Sequence, residues 1–151
     1  MQKTKLITQP TPHSCAIACL AMATGSTLEE VFEAAGDLYI EGDGLYRSYQ
    51  VLEKLGYRSE YKNGEVVGVV RDQSRPYSVS PEYFRTLAWG RPALITVSSL
   101  NIAGGHHMVY YDGYDVYDPN PPERKRYTEF SELLPSNIIL FRPDMAKSPV
   151  E

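Results

Sequence analysis

Of the two cysteines and three histidines in this 151-residue chain, one pair has the surroundings that nucleophilic chemistry requires: Cys15 and His107. Cys15 follows Gln9-Pro10-Thr11-Pro12-His13-Ser14 and opens an apolar run. The prolines keep that segment extended and Ser14 has the side chain of an N-cap, so the pattern predicts a helix that begins at Cys15. Unpaired backbone N–H groups and the helix dipole at such a start favour negative charge, which is where cysteine thiols become reactive. Cys19, one turn further on among Ala16, Leu20 and Ala23, has no such help and reads as a small buried hydrophobe.

A nucleophilic thiol needs a base, and the base needs an orienting group. Both are offered by Gly104-Gly105-His106-His107-Met108-Val109-Tyr110-Tyr111-Asp112-Gly113-Tyr114-Asp115-Val116-Tyr117-Asp118-Pro119. Asp112-Gly113 signals a two-residue hairpin turn. Centred there, the turn sets Val109 opposite Val116 and His107 opposite Asp118, close enough for a carboxylate to hold an imidazole N–H. His106 projects to the other face, opposite Pro119, so the register prefers His107. A turn displaced by one residue, to Gly113-Tyr114, would set His107 opposite Asn120, which can also orient a histidine; Asp118 is the favoured partner. Gln9, six residues before Cys15, carries an amide that can join the Cys15 backbone N–H in stabilising an oxyanion. A zinc site drawn from Cys15, Cys19, His106 and His107 fails, because adjacent strand residues point to opposite faces and the cysteines are helical. No Gly-x-Ser-x-Gly elbow or phosphate loop is present, and the chemistry calls for no cofactor or metal.

The elements that must position these residues fall into two halves. Helices are predicted over 15–23, ended by Gly25; from the capping box Ser26-Thr27-Leu28-Glu29-Glu30 to near Gly36; and from after Asp43 to Gly56, where Leu45, Tyr49, Leu52 and Leu55 recur at helical spacing. Strands are predicted over 57–62 and 66–70, either side of Asn63-Gly64, then over 92–98, 107–111, 116–117 and 138–141. Short helices are expected over about 80–90 and 128–134. Helices first and mainly antiparallel strands after make an α+β domain over 1–141, followed by a polar, flexible tail over 142–151.

The bulk properties restrict the partners. Apolar residues make up 42% and charged residues 23% of the chain, as in an ordinary globular domain. The net charge of −4 gives no broad positive surface for nucleic acid. Arg124-Lys125-Arg126, after two prolines, reads as a solvated turn. No apolar run approaches the ~20 residues that span a bilayer, and none resembles a secretory signal. Two cysteines four apart on one helix are badly placed to bridge. A reducing cytoplasm is the expected setting, with both thiols free, a peptide or protein substrate as partner, and neither nucleic acid nor membrane.

Gln9-x5-Cys15 at a helix start, the strand Gly105-His106-His107-Met108-Val109 and then Val116-Tyr117-Asp118-Pro119 together resemble the papain-like cysteine peptidases. The likeness is greatest to the bacteriocin-processing (double-glycine leader) peptidase family and its small stand-alone relatives. It implies a papain-like fold, N-terminal helices packed on an antiparallel sheet. It also implies Cys15 as nucleophile, His107 as base, Asp118 as orienter and Gln9 as oxyanion-hole donor. The function expected is a thiol hydrolase that cleaves a peptide or isopeptide bond through an acyl-enzyme. That family usually carries an acidic residue and a glycine where this chain has Ser14 and Ala16. The alternative is therefore a catalytically inactive relative that binds a peptide or partner protein in the same cleft.

Overall fold

The computed structural model describes residues 4–45, 47–62, 69–70, 78–79, 90–133 and 135–146, with side chains over 4–45, 47–57 and 90–133. Its centre is helix α1 (Cys15–Thr24), whose residues Ala16 to Ala23 are all buried. A helix that is apolar all round has to be enclosed. Helix α2 (Leu28–Ala35) encloses it with Val31 and Ala35, helix α3 (Ser48–Lys54) with Val51 and Leu52, and the sheet with Leu94, Met108 and Tyr110. Gly25, at φ 70, ends α1 in the left-handed conformation and returns its N–H to the Ala21 carbonyl.

The capping box resolves to Thr27 and Glu30. Thr27 Oγ1 accepts the Glu30 N–H at 3.1 Å, and Glu30 Oε1 accepts the Thr27 N–H at 2.9 Å. Both lie in water, so the loss on Thr27→Ala is the cap alone. It is expected to destabilise the protein by about 1 kcal/mol in urea unfolding. An unchanged midpoint would mean that packing of Val31 alone holds α2 in place.

The third helix begins later than its apolar spacing suggests. Strands β1 (Tyr39–Ile40) and β2 (Gly44–Leu45) first form a small hairpin, and α3 starts only at Ser48. Gly42-Asp43-Gly44 supplies the turn, where the Asp43 N–H reaches the Ile40 carbonyl at 3.0 Å. Leu45 reaches the core from that hairpin rather than from a helix, so its spacing to Tyr49 matched a helix by coincidence.

The remaining strands are β3 (Tyr57–Lys62), β4 (Val69–Val70), β5 (Ser78–Val79), β6 (Ala93–Ser98), β7 (His106–Tyr111), β8 (Val116–Tyr117) and β9 (Pro135–Ala146). Five of them make one antiparallel sheet in the order β3-β9-β6-β7-β8. The strand expected over 57–62 is β3 and pairs with β9, while of the strand expected over 66–70 the described residues Val69–Val70 form β4 and pair with β5. The Asn63-Gly64 turn and the helix expected over 80–89 lie outside the described residues. The strand expected over 138–141 is the middle of twelve-residue β9, which continues to Ala146 and takes in residues read as tail; 147–151 lie outside the described residues. The helix expected over 128–134 is a single 3-10 turn, Phe130–Glu132.

Both faces of the sheet are covered. Leu94, Met108 and Tyr110 face the helices, while Ala93, Ile95, Val97, Val109 and Tyr111 pack with Tyr127 and Leu133 on the far side. Burial on both faces explains why β6 and β7 read as nearly continuous apolar runs.

Candidate active site

Cys15 is the first residue of α1 and is half-buried. Ser14 holds the N-cap position, but its side chain does not cap the helix. Its Oγ accepts the Thr11 N–H at 2.9 Å and donates to the Thr11 carbonyl at 3.0 Å, which folds residues 11–14 into a tight turn. The expectation of a Ser14 side-chain cap is therefore corrected. The hydroxyl is drawn backward onto Thr11, and Ser14 leaves the first-turn N–H groups around Cys15 uncapped.

His107 is the second residue of β7, buried to 7% exposure. Its Nε2 lies 2.6 Å from Asp118 Oδ1, and the Cys15 side chain is the other group near enough to act on the ring. With Nε2 committed to Asp118, Nδ1 is the nitrogen left for the thiol. Burial pulls the His107 pKa down, but the hydrogen bonds to Asp118 and Cys15, together with their charges, outweigh it and lift the value to about 9. The surroundings of the ring thus favour its protonated form.

Asp118 is almost fully enclosed and accepts three hydrogen bonds. Oδ1 takes the Asn120 N–H at 2.9 Å besides His107, and Oδ2 takes the Tyr127 N–H at 2.8 Å. A buried carboxylate needs such donors to remain charged, and here they also fix its orientation. Cys19, one turn from Cys15, is fully buried and donates to the Met108 carbonyl at 3.4 Å. Burial pushes its thiol well above the ordinary range.

The hairpin carrying His107 and Asp118 has the displaced register. Tyr111 pairs with Val116 and Tyr110 with Tyr117, so the turn is centred on Gly113-Tyr114. The Asp112 carboxylate selects it: Oδ1 accepts the N–H groups of Tyr114 and Asp115 at 2.8 and 2.7 Å, and Oδ2 accepts the Tyr117 hydroxyl at 3.1 Å. Continued regularly, that ladder would bring Asn120 level with His107. It stops at Tyr117, however, and the chain then turns so that Asp118 meets the imidazole. Asn120 serves instead through its backbone, and its Nδ2 donates to the Lys125 carbonyl at 3.2 Å. His106, the exposed first residue of β7, stays outside this group.

Gln9 is buried beside the same segment. Its N–H donates to the Pro119 carbonyl at 2.8 Å, and its Nε2 donates to the Thr11 carbonyl at 2.9 Å, while Oε1 has no hydrogen-bond partner among the described residues. The Gln-Pro-Thr-Pro segment therefore joins the start of α1 to the strand end that carries Asp118. Sequence reasoning missed Tyr127 as a donor to Asp118, because a loop of irregular backbone separates the two and no periodicity announces the contact. A thiol near an imidazole whose other nitrogen meets a fixed carboxylate can be held as a thiolate, and Nδ1 can deliver a proton to a group bound beside the sulfur.

No family model matches this sequence, and no curated protein matches it. Among solved structures, a double glycine motif protease from an AMS/PCAT transporter, crystallised in complex with the leader peptide, matches with a TM-score of 0.60. Sequence identity is 19%, and the match covers 93% of this chain and 92% of that chain. The likeness is one of architecture, and it shows that the chain has an α+β fold of the papain-like protease kind, with its helices packed on an antiparallel sheet.

Proposed function

We propose that the protein is a thiol hydrolase of the cysteine peptidase kind that cleaves a peptide or isopeptide bond. The observation that carries this reading is the connected group Cys15–His107–Asp118, with the thiol at a helix start and the carboxylate 2.6 Å from the imidazole. Cys15 Sγ, as thiolate, attacks the substrate carbonyl carbon, and the π electrons move onto the carbonyl oxygen. The Cys15 N–H receives that oxyanion. Gln9 Nε2 carries one hydrogen beyond that given to Thr11 and is the second donor. His107 Nδ1–H protonates the leaving amine as the tetrahedral species collapses to a thioester. The neutral imidazole then takes a proton from water, whose oxygen releases the acyl group as a carboxylic acid. Asp118 holds Nε2–H throughout.

A peptide substrate is supported by the fold shared with a protease that was crystallised with a leader peptide. Ser14 and Ala16 prompted the binding-only alternative. Their side chains are directed inward, Ser14 onto Thr11 and Ala16 into the core, so neither substitution intrudes between Cys15 and His107. Incubation with p-nitrophenyl acetate, followed by intact and peptide mass spectrometry, tests the reading. A burst of one nitrophenolate and an acetyl group on Cys15 are expected, both absent in Cys15→Ala. Acetylation confined to lysines, at the same rate in both proteins, would leave only the peptide-binding alternative.

A further inference from the structure

Two segments supply His107 and Asp118, 98–107 and 118–127, and among the described residues side chains join them at the His107–Asp118 bond and at two further places. At one end, the Tyr127 hydroxyl donates to the Ser98 carbonyl at 2.5 Å. Between lies a reciprocal pair: Asn101 Nδ2 donates to the Lys125 carbonyl and Asn101 Oδ1 accepts the Lys125 N–H, both at 3.0 Å. A carboxamide that both donates to and accepts from one residue's backbone imitates a strand pairing, and it fixes separation as well as direction.

The surroundings of Asn101 hold it ready for that pairing. Ser99 Oγ accepts the N–H groups of Asn101 and Ile102 at 3.2 and 3.0 Å. The loop closes where the Ser99 N–H reaches the Gly105 carbonyl at 2.9 Å, immediately before His106 and His107. On the other segment the Lys125 carbonyl also accepts Asn120 Nδ2, and the Asn120 N–H is itself bound to Asp118 Oδ1. A continuous path therefore runs from Asp118 through Asn120, Lys125, Asn101, Ser99 and Gly105 back to His107. Asn101 is exposed and belongs to neither hydrophobic core, so the two hydrogen bonds of its side chain are that side chain's structural role.

We propose that Asn101 is a positioning residue, whose carboxamide clasps the Lys125 backbone and thereby sets the His107 imidazole against the Asp118 carboxylate. This rests on the thiol-hydrolase reading for its consequence, though not for its geometry. The groups facing His107 are Asp118 and Cys15, and the clasp acts on the first of them. Loosening it lengthens the 2.6 Å bond and weakens the hold on the imidazolium.

The test compares the wild type, Asn101→Ala and Asn101→Asp by two readings that need no substrate: the His107 ring titration by NMR and the rate of Cys15 alkylation by iodoacetamide at pH 6.5. Asn101→Ala is expected to lower the His107 pKa by about one unit and to slow alkylation measurably, with the thermal midpoint little changed. Asn101→Asp keeps the acceptor for the Lys125 N–H but, ionised, loses the donor to its carbonyl, and should fall between the two. Should Asn101→Ala fail to fold, Asn101→Asp decides by the same readings. Variants that titrate and alkylate as the wild type does overturn the clasp. A wild type in which Cys15 is no more reactive than a free thiol overturns the hydrolase reading instead, while the NMR comparison still decides the clasp.

Discussion

Asp118→Asn is expected to slow acyl transfer to Cys15 by about a thousandfold or more, on the scale of losing the orienting carboxylate in a nucleophile–histidine–carboxylate group. The reason lies in donor counting. Asp118 accepts from three N–H groups, two on Oδ1 and one on Oδ2. An asparagine has one acceptor oxygen. If the oxygen takes the Oδ1 position, its NH2 confronts the Tyr127 N–H. If it takes the Oδ2 position, the NH2 faces both the Asn120 N–H and His107 Nε2. The imidazole then has to accept at Nε2 and carry its proton on Nδ1, with no negative charge to stabilise the imidazolium. In either orientation at least one buried donor is left unpaired, at about 1–3 kcal/mol of stability. The burst rate with p-nitrophenyl acetate and the urea midpoint read the two effects separately. A burst within a few-fold of the wild type would remove Asp118 from the mechanism.

His107→Ala is expected to have the larger effect, abolishing the burst, because it removes the group that supports the Cys15 thiolate. The same substitution reads out in stability. The folded-state pKa of His107 is raised from 6.5 to about 9, so the protein gains from the protonated form. That contribution is fully present below pH 6.5 and is lost as pH rises through 9. Urea midpoints of the wild type should therefore fall across this window relative to those of His107→Ala, and the two curves should run parallel below it. Parallel curves across the whole window would mean that the hydrogen bonds to Asp118 and Cys15 do not outweigh the burial of the ring.

Local signals carried most of the helical half. The thiol at the head of an apolar run, the Thr27–Glu30 box and Gly25 each act within one turn of chain, and each fixed an end of a helix. The hairpin shows how a wrong register can still name the right residue. Moving a turn by one residue moves the cross-strand partner by two, which keeps the side chain on the same face. Asp118 and Asn120 were therefore both compatible with His107, and the end of the ladder at Tyr117 decided between them. Other features depend on contacts far apart in sequence. β9 lies between β3 and β6, and no pattern within 135–146 names those neighbours. Tyr127 and Asn120 act on Asp118 through backbone N–H groups, which every residue other than proline possesses, so residue type gave no signal. Ser14 departs from its sequence pattern for a related reason: its oxygen had two sets of local N–H donors available, and it bonds the Thr11 backbone instead of the first turn of the helix.

The most direct test is the pH dependence of iodoacetamide alkylation at Cys15 and Cys19, quantified by peptide mass spectrometry in the wild type and in His107→Ala. Selective reaction of Cys15 well below pH 8, lost in His107→Ala, with Cys19 protected by its burial in both proteins, is the expected result. Cys15 titrating as an ordinary thiol in both proteins, or Cys19 reacting equally, would contradict it and leave a peptidase-like fold that binds without cutting.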